Sequence, residues 1–171
     1  GRIYYGVKTG LNDAFVIDRA TRDRLVKDDP GCAAILKKLL RGQDLRPWYY
    51  EDEGQWLIAM PSGWTRSQTE LTDETAAWDW LATKYPSIAA HLEPFAERGR
   101  KRYDQGEFWW ELRACDYYTA FDEPKILWPD IAKLPRFSWD EGGVYLNNTG
   151  YILPCEPWVL GMLQSRVLWF C

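Results

Sequence analysis

The sequence predicts an α+β fold with a mixed, mostly antiparallel sheet and several helices. Strand-like and helix-like segments alternate irregularly, without the regular strand–helix–strand order of a parallel α/β array. The chain has 171 residues, 46% of them hydrophobic, which is enough for a core without a metal or disulfide staple. We expect one domain over residues 1–171.

Turn signals and hydrophobic spacing order the first half of the chain. Its predicted elements are, in order, strands at 2–8 and 14–17 around a turn at 10–13, a helix at 19–28 capped by Asp18 or Thr21, a helix from Pro30 to Gly42 with Ile35, Leu36, Leu39 and Leu40 buried, and a hairpin of strands 45–50 and 55–60. An Asp before a Pro favours the second helix, because these residues suit its N-cap and first position.

Helices and then strands are predicted for the second half. The elements are a surface loop at 61–73, helices at 74–83 and 86–102 with the latter kinked or split at Pro94, a short helix at 116–121, strands at 126–128, 137–139 and 144–153, and a final helix from Pro157 with Leu160, Met162, Leu163, Val167 and Leu168 on its apolar side. The chain has no initiator Met and its last residues are apolar, so we expect the C-terminal part of a larger protein.

Basic residues cluster although the net charge is −4, from 21 basic and 25 acidic residues. The two clusters are Arg98, Arg100, Lys101 and Arg102, and Lys37, Lys38, Arg41 and Arg46. Acidic residues concentrate elsewhere, at 51–53 and 70–79. A positive face for phosphates is one interpretation, because phosphate contact depends on local charge. Ordinary solvated helix ends are the other.

Aromatic and amide side chains accompany these clusters in a chain with 11 Trp, 10 Tyr and 6 Phe. The aromatic neighbours are Trp48, Tyr49, Tyr50, Tyr103, Phe108, Trp109 and Trp110. They could stack on bases or sugars, or fill the core. Polar residues in predicted loops are Lys8, Thr9, Asn12, Gln43, Asn147 and Asn148. These types can bind base edges or cap their own turns.

Motifs for independent catalysis are missing from the sequence. There is no phosphate-binding loop, no Gly-x-Ser-x-Gly and no Asn-Pro-Pro-aromatic run. His91 and four widely spaced cysteines predict no metal site, and we expect free thiols in a cytoplasmic protein. No apolar stretch reaches the roughly 20 residues of a membrane span. Glu123 and Lys125 have the Glu-x-Lys spacing of metal-dependent nucleases, but Pro124 between them disfavours the required strand.

Five blocks, in order along the chain, resemble one family. Residues 5–18, Tyr-Gly-Val-Lys-Thr-Gly-Leu-Asn-Asp-Ala-Phe-Val-Ile-Asp, resemble the opening of the TaqI-like C-terminal specificity domain of type IIG restriction–modification enzymes and related adenine-specific DNA methyltransferases. The other blocks are 40–45, 125–131, 145–149 and 160–170. Gln43 stands where Arg is common and Gln164 where Asn is common, and residues 61–115 match only loosely.

The resemblance implies a target recognition domain for double-stranded DNA. It implies no catalytic residue, metal or cofactor in this chain, since S-adenosylmethionine and adenine flipping belong to a methyltransferase domain expected N-terminal to it in the same parent. It further implies that Gly6 and Gly10 shape the first turn and that loops between the blocks contact bases. The candidate DNA-binding residues are Lys8, Thr9, Asn12, Arg41, Gln43, Arg46, Lys101, Arg102 and Tyr103. Whether the parent also cleaves DNA stays open.

Two other functions remain compatible with the sequence. An aromatic-rich carbohydrate- or peptide-binding module would present a row of exposed Trp rings. A small metal-dependent nuclease would use Glu123 and Lys125.

Overall fold

The computed structural model describes residues 1–165, and the fold is α+β. Its strands are β1 (Tyr4–Tyr5), β2 (Val16–Asp18), β3 (Leu36–Leu40), β4 (Gln55–Ile58), β5 (Lys125–Pro129), β6 (Ser138–Asp140), β7 (Val144–Leu146) and β8 (Gly150–Pro154). Its α-helices are α1 (Asn12–Phe15), α2 (Arg19–Asp28), α3 (Trp64–Thr69), α4 (Glu74–Lys84), α5 (Pro86–Leu92), α6 (Ala96–Lys101) and α7 (Trp158–Leu163). Short 3₁₀ helices cover Pro30–Ile35, Gly42–Asp44, Glu93–Phe95 and Tyr118–Phe121.

The chain divides into two compact units. In the described part of the chain, unit 1 holds residues 1–7, 38–54 and 116–165, and unit 2 holds residues 8–37 and 55–115. No helix within residues 1–165 has the length and apolar character to cross a membrane.

Unit 1 is built on an antiparallel sheet of four strands in the order β1-β8-β5-β6. The last residues of β3 also lie in this unit and pair in parallel with β7, with Lys38 opposite Val144 and Leu40 opposite Leu146. Gly6 follows β1 where the chain passes the β7–β8 turn so closely that a Cβ would lie 1.8 Å from the Asn147 carbonyl oxygen. The predicted role of Gly6 therefore has a steric cause.

Unit 2 joins a two-stranded antiparallel ladder, β2 with β4, to helices α1–α6. Its core is aromatic: Trp109 and Trp110 are buried, and the Trp78 ring of α4 lies 4.9 and 5.2 Å from theirs. These rings bury large apolar areas, so they contribute much of the hydrophobic stabilisation of unit 2.

Several predicted elements are confirmed. Helix α2 spans the predicted residues, and the Asp18 carboxylate accepts a hydrogen bond from the Thr21 amide as its N-cap. Helix α4 matches the prediction, and Pro94 lies in the 3₁₀ turn that separates α5 from α6. Strands β5, β6 and β8 and helix α7 lie in their predicted regions. Val167 and Leu168 lie outside the described residues.

Other predicted elements are wrong. The helix expected from Pro30 to Gly42 is a 3₁₀ turn followed by strand β3. Residues 14–15 belong to α1 rather than to a strand, and 64–69 form α3 rather than a loop. The strand expected over 45–50 was predicted to pair with 55–60. Leu45 instead forms an isolated bridge with Tyr50, and β4 pairs with β2. The strand expected over 144–153 is interrupted at 147–149.

Candidate nucleic-acid interface

The first turn of the chain in unit 2 is held by its own side chains. Gly10 has φ +68°, which favours glycine. The buried Thr9 hydroxyl accepts from the Leu11 amide at 3.1 Å and donates to Asn12 Oδ1 at 2.6 Å. This leaves the amide nitrogen of the exposed Asn12 available as a donor. Thr9 therefore positions Asn12, and its burial does not fit the predicted direct contact with DNA.

Arg102 supports the same turn from inside unit 2. Its side chain is buried, and its guanidinium donates to the carbonyls of Thr9, Trp109 and Glu111 while lying 4.3 Å above the Phe15 ring. A buried guanidinium is stable only when such acceptors replace water. Burial and these backbone acceptors indicate a supporting role for Arg102 in this turn, and its contact with DNA stays a prediction.

Two cations converge on one carboxylate beside this turn. Lys8 Nζ lies 3.0 Å from Asp104 Oδ2, and Arg113 Nη1 lies 3.9 Å from Oδ1 of the same residue. Asp104 is buried, whereas Lys8 is half exposed. The neighbouring Tyr103 ring is 97% exposed. We call Lys8, Asn12, Tyr103 and Arg113 the Lys8 patch: it combines two cations over one acid, an amide donor and a free aromatic face.

The basic cluster of α6 is neutralised by acids from other positions. Arg98 pairs with Asp13 at 2.8 Å, Arg100 with Glu74 at 2.7 Å and Lys101 with Glu97 at 2.5 Å. The cluster of four cations at 98–102 contains no acid in the sequence, and these partners could not be seen from it. All three pairs are solvent-exposed, where such pairs contribute only about 0–1 kcal/mol. The cations can therefore exchange these partners for a phosphate.

The candidates in unit 1 shape the segment after β3. Arg41 forms a two-pronged contact with Asp44, at 3.2 Å from Nε and 2.9 Å from Nη2, and this hydrogen bonding raises the pKa of Arg41. Arg46 pairs with Glu51 at 2.5 Å and donates to the Gln43 carbonyl at 2.6 Å. Both guanidiniums are about 30% exposed. The Gln43 side chain is exposed.

The lysine of the Glu-x-Lys pair is engaged inside unit 1. Lys125 is buried, and its ammonium contacts Asp140 Oδ2 and the Phe121 carbonyl, both at 2.5 Å. Glu123 is exposed, and only its backbone carbonyl approaches that ammonium, at 3.3 Å. Burial lowers the pKa of Lys125. No three His, Cys, Asp or Glu side chains within residues 1–165 form a candidate metal site.

The tryptophans do not form the exposed row expected of a carbohydrate module. Among those in residues 1–165, the side chains of Trp48 and Trp158 are exposed and the others are buried or half-buried. The Trp64 ring packs 5.9 Å from Trp80 in unit 2, and the Trp128 ring packs 5.7 Å from Tyr151 in unit 1. Most of the aromatic content therefore builds cores.

Sequence reasoning missed Arg113 in the Lys8 patch. A single Arg that follows the aromatic run 108–110 and Glu111-Leu112 carries no charge cluster to mark it. Its contact with the buried Asp104 is a tertiary feature, so no local signal in the sequence could have identified it.

Known structures contain this fold. The chain is similar to a segment of the type IIL restriction-modification enzyme MmeI, solved in complex with DNA, with a TM-score of 0.60 and 13% sequence identity over 95% of this chain. It spans 20% of the length of that chain. No protein-family model and no curated protein matches the sequence. The likeness shows that the two chains share a fold.

Proposed function

We propose that this chain is a DNA target recognition domain: it binds double-stranded DNA and selects a sequence for a restriction–modification type adenine methyltransferase. The observation that carries the proposal is the likeness, over 95% of the chain, to a segment of a restriction-modification enzyme solved with DNA. The resemblance of five blocks to the TaqI-like specificity domain points in the same direction. In this proposal S-adenosylmethionine and catalysis belong to a methyltransferase domain of the same parent.

The Lys8 patch gives the proposal a physical basis. Lys8 and Arg113 supply charge for phosphates, Asn12 offers an amide of the kind that pairs with adenine, and Tyr103 offers a stacking face. Lys101, Arg41, Gln43 and Arg46 remain candidate contacts, whereas Thr9 and Arg102 act by positioning. The buried Lys125 and the scarcity of exposed Trp rings favour this function over the nuclease and the carbohydrate module.

Binding to random duplex DNA, measured by fluorescence anisotropy over a salt series, tests the function. The 171-residue chain should bind duplex DNA with a negative slope of log affinity against log salt, and selection from a random library should enrich one motif. Absence of duplex binding at low salt overturns the proposal.

Variants of the patch separate phosphate binding from base selection. Lys8→Ala/Arg113→Ala should weaken binding to every sequence and reduce the slope by about 1.8, which is about 0.9 for each phosphate contact. Asn12→Ala should instead relax the preference at one base pair, by about 1–3 kcal/mol. Lys27→Ala/Lys84→Ala, at exposed positions of α2 and α4, is the matched charge control.

A further inference from the structure

A strained and exposed tryptophan marks a surface of unit 1 that the candidates above do not include. Trp48 has φ +76°, and within residues 1–165 it shares a positive φ among non-glycine residues only with Glu70, which ends helix α3. A bulky side chain rarely adopts this conformation. The Trp48 side chain is nevertheless 56% exposed and the adjacent Tyr49 57% exposed. Core packing therefore does not explain the conformation.

The backbone around Trp48 is held on both sides. The Arg46 amide donates to the Tyr49 carbonyl at 2.9 Å and closes the loop, and the Trp48 amide donates to the Phe137 carbonyl at 2.8 Å. The Ser138 hydroxyl lies 2.8 Å from the Arg46 carbonyl and 2.7 Å from that of Tyr49. Strained residues persist where surrounding contacts fix them, and they concentrate at functional sites. The ring is thus presented to solvent by a rigid support.

The segment beside this loop carries exposed apolar and basic side chains. Residues 130–137 join β5 to β6, with Ile131 86% and Leu134 71% exposed. Lys133 and Arg136 are exposed as well, and neither forms an ion pair within the part of the chain that the structure describes. This differs from the α6 cations, each of which has an acidic partner. Arg136 directly precedes Phe137, whose carbonyl anchors Trp48.

We propose that Trp48, Tyr49, Lys133, Leu134 and Arg136, which we call the tip surface, form a second contact with duplex DNA. Lys133 and Arg136 bind backbone phosphates, and the Trp48 ring packs against bases in a groove. Apolar and aromatic side chains held rigidly beside cations are how proteins insert into base steps. The two cations favour DNA over an apolar protein partner. Every stretch of duplex offers phosphates that Lys133 and Arg136 can bind, whereas an apolar protein surface offers them no negative charge. The proposal rests on the proposed function and names a part of the chain that performs it.

The aromatic part is tested with three substitutions at one position. Trp48→Phe and Trp48→Ala keep a side chain at the strained φ and differ only in the ring, whereas Trp48→Gly removes the strain as well. We expect Trp48→Phe to bind duplex DNA within about threefold of the wild type and Trp48→Ala and Trp48→Gly to bind at least tenfold more weakly. Equal affinity of all three with the wild type overturns the aromatic contact.

The basic part is tested by Lys133→Ala/Arg136→Ala in the 171-residue chain. This variant should make the negative slope of log affinity against log salt shallower by about 1.8. Lys27→Ala/Lys84→Ala has the same change in net charge and should leave the slope unchanged. Circular dichroism and the urea midpoint of each variant show whether it is folded. An unchanged slope in the folded double variant overturns the tip surface as a phosphate contact while the proposed function stands. If the wild-type chain does not bind duplex DNA, both proposals fail.

Discussion

Two buried charges in unit 2, Arg102 and Glu111, are compensated by backbone groups rather than by opposite charges. The Arg102 guanidinium donates to three carbonyls, and the Glu111 carboxylate accepts from the amides of Gly63 at 2.9 Å, Thr65 at 2.8 Å and Glu107 at 3.1 Å. Each charge thereby orders a loop, because a buried polar group without its partner loses free energy. The first turn, which carries Lys8 and Asn12, is held by Arg102 through the Thr9 carbonyl.

Replacing Arg102 should therefore affect folding rather than DNA contact. Arg102→Ala removes the guanidinium that donates to the carbonyls of Thr9, Trp109 and Glu111, and we expect a loss of about 3 kcal/mol or more in the free energy of unfolding. Arg102→Lys keeps the charge but not the fork of donors, and should recover only part of it. Urea denaturation measures both. A stable Arg102→Ala with weakened DNA binding would contradict the structural role.

The Tyr50 phenol gives unit 1 a pH-dependent stability. Burial raises the pKa of Tyr50 from 10.0 to about 12, and the negative charge of Asp140 is the second cause of this shift. The Tyr50 hydroxyl lies 3.3 Å from Asp140 Oδ1. The unfolded chain releases this proton more readily, so the stabilisation is complete below pH 10 and is lost as the pH rises to about 12. The free energy of unfolding of Tyr50→Phe should fall less over this interval. Parallel curves for the two proteins would contradict the shifted pKa.

Helix α4 owes its start to one side chain. The Asp73 carboxylate accepts from the Ala76 amide at 2.9 Å, and α4 carries the Trp78 ring into the aromatic core of unit 2. Asp73→Ala removes the cap and should reduce the free energy of unfolding by about 0.5–2 kcal/mol. Asp73→Asn keeps a capping oxygen and should retain most of the stability. Thermal denaturation distinguishes them, and equal losses in both variants would exclude capping as the cause.

Elements with local signals could be predicted from the sequence, and elements that depend on distant partners could not. Asp18 and Pro94 act within a few residues of their own positions, so α2 and the break after α5 were predicted correctly. The spacing of Leu36, Leu39 and Leu40 suits a helix, but the end of β3 pairs in parallel with β7, about a hundred residues later in the chain. A parallel partner leaves no mark on the local sequence, and such tertiary pairing overrides propensity.

The sequence predicted which residue types the candidate site contains better than it predicted their burial and contacts. Lys8, Asn12 and Tyr103 were named from residue type and loop position, and unit 2 brings their segments together at Asp104. Thr9 and Arg102 were named for the same reasons, yet burial gives them supporting roles. Exposure could not be inferred from residue type, because a buried Arg and an exposed one look alike in a sequence. The acids that neutralise α6 were equally hidden, since two of them come from other helices.

The charge of the whole molecule sets the last test. At a net charge of −4, the proposed binding of duplex DNA is favoured where cations exchange acidic partners for phosphates. Asp13→Asn/Glu74→Gln/Glu97→Gln frees Arg98, Arg100 and Lys101, and should raise duplex affinity and steepen the salt slope by about 0.9 for each cation that then contacts a phosphate. The control, Asp28→Asn/Asp79→Asn/Glu93→Gln, changes the net charge equally at acids outside these three pairs. A steeper slope in the first variant alone places α6 at the DNA, whereas equal gains in both variants reflect net charge and remove α6 from the interface.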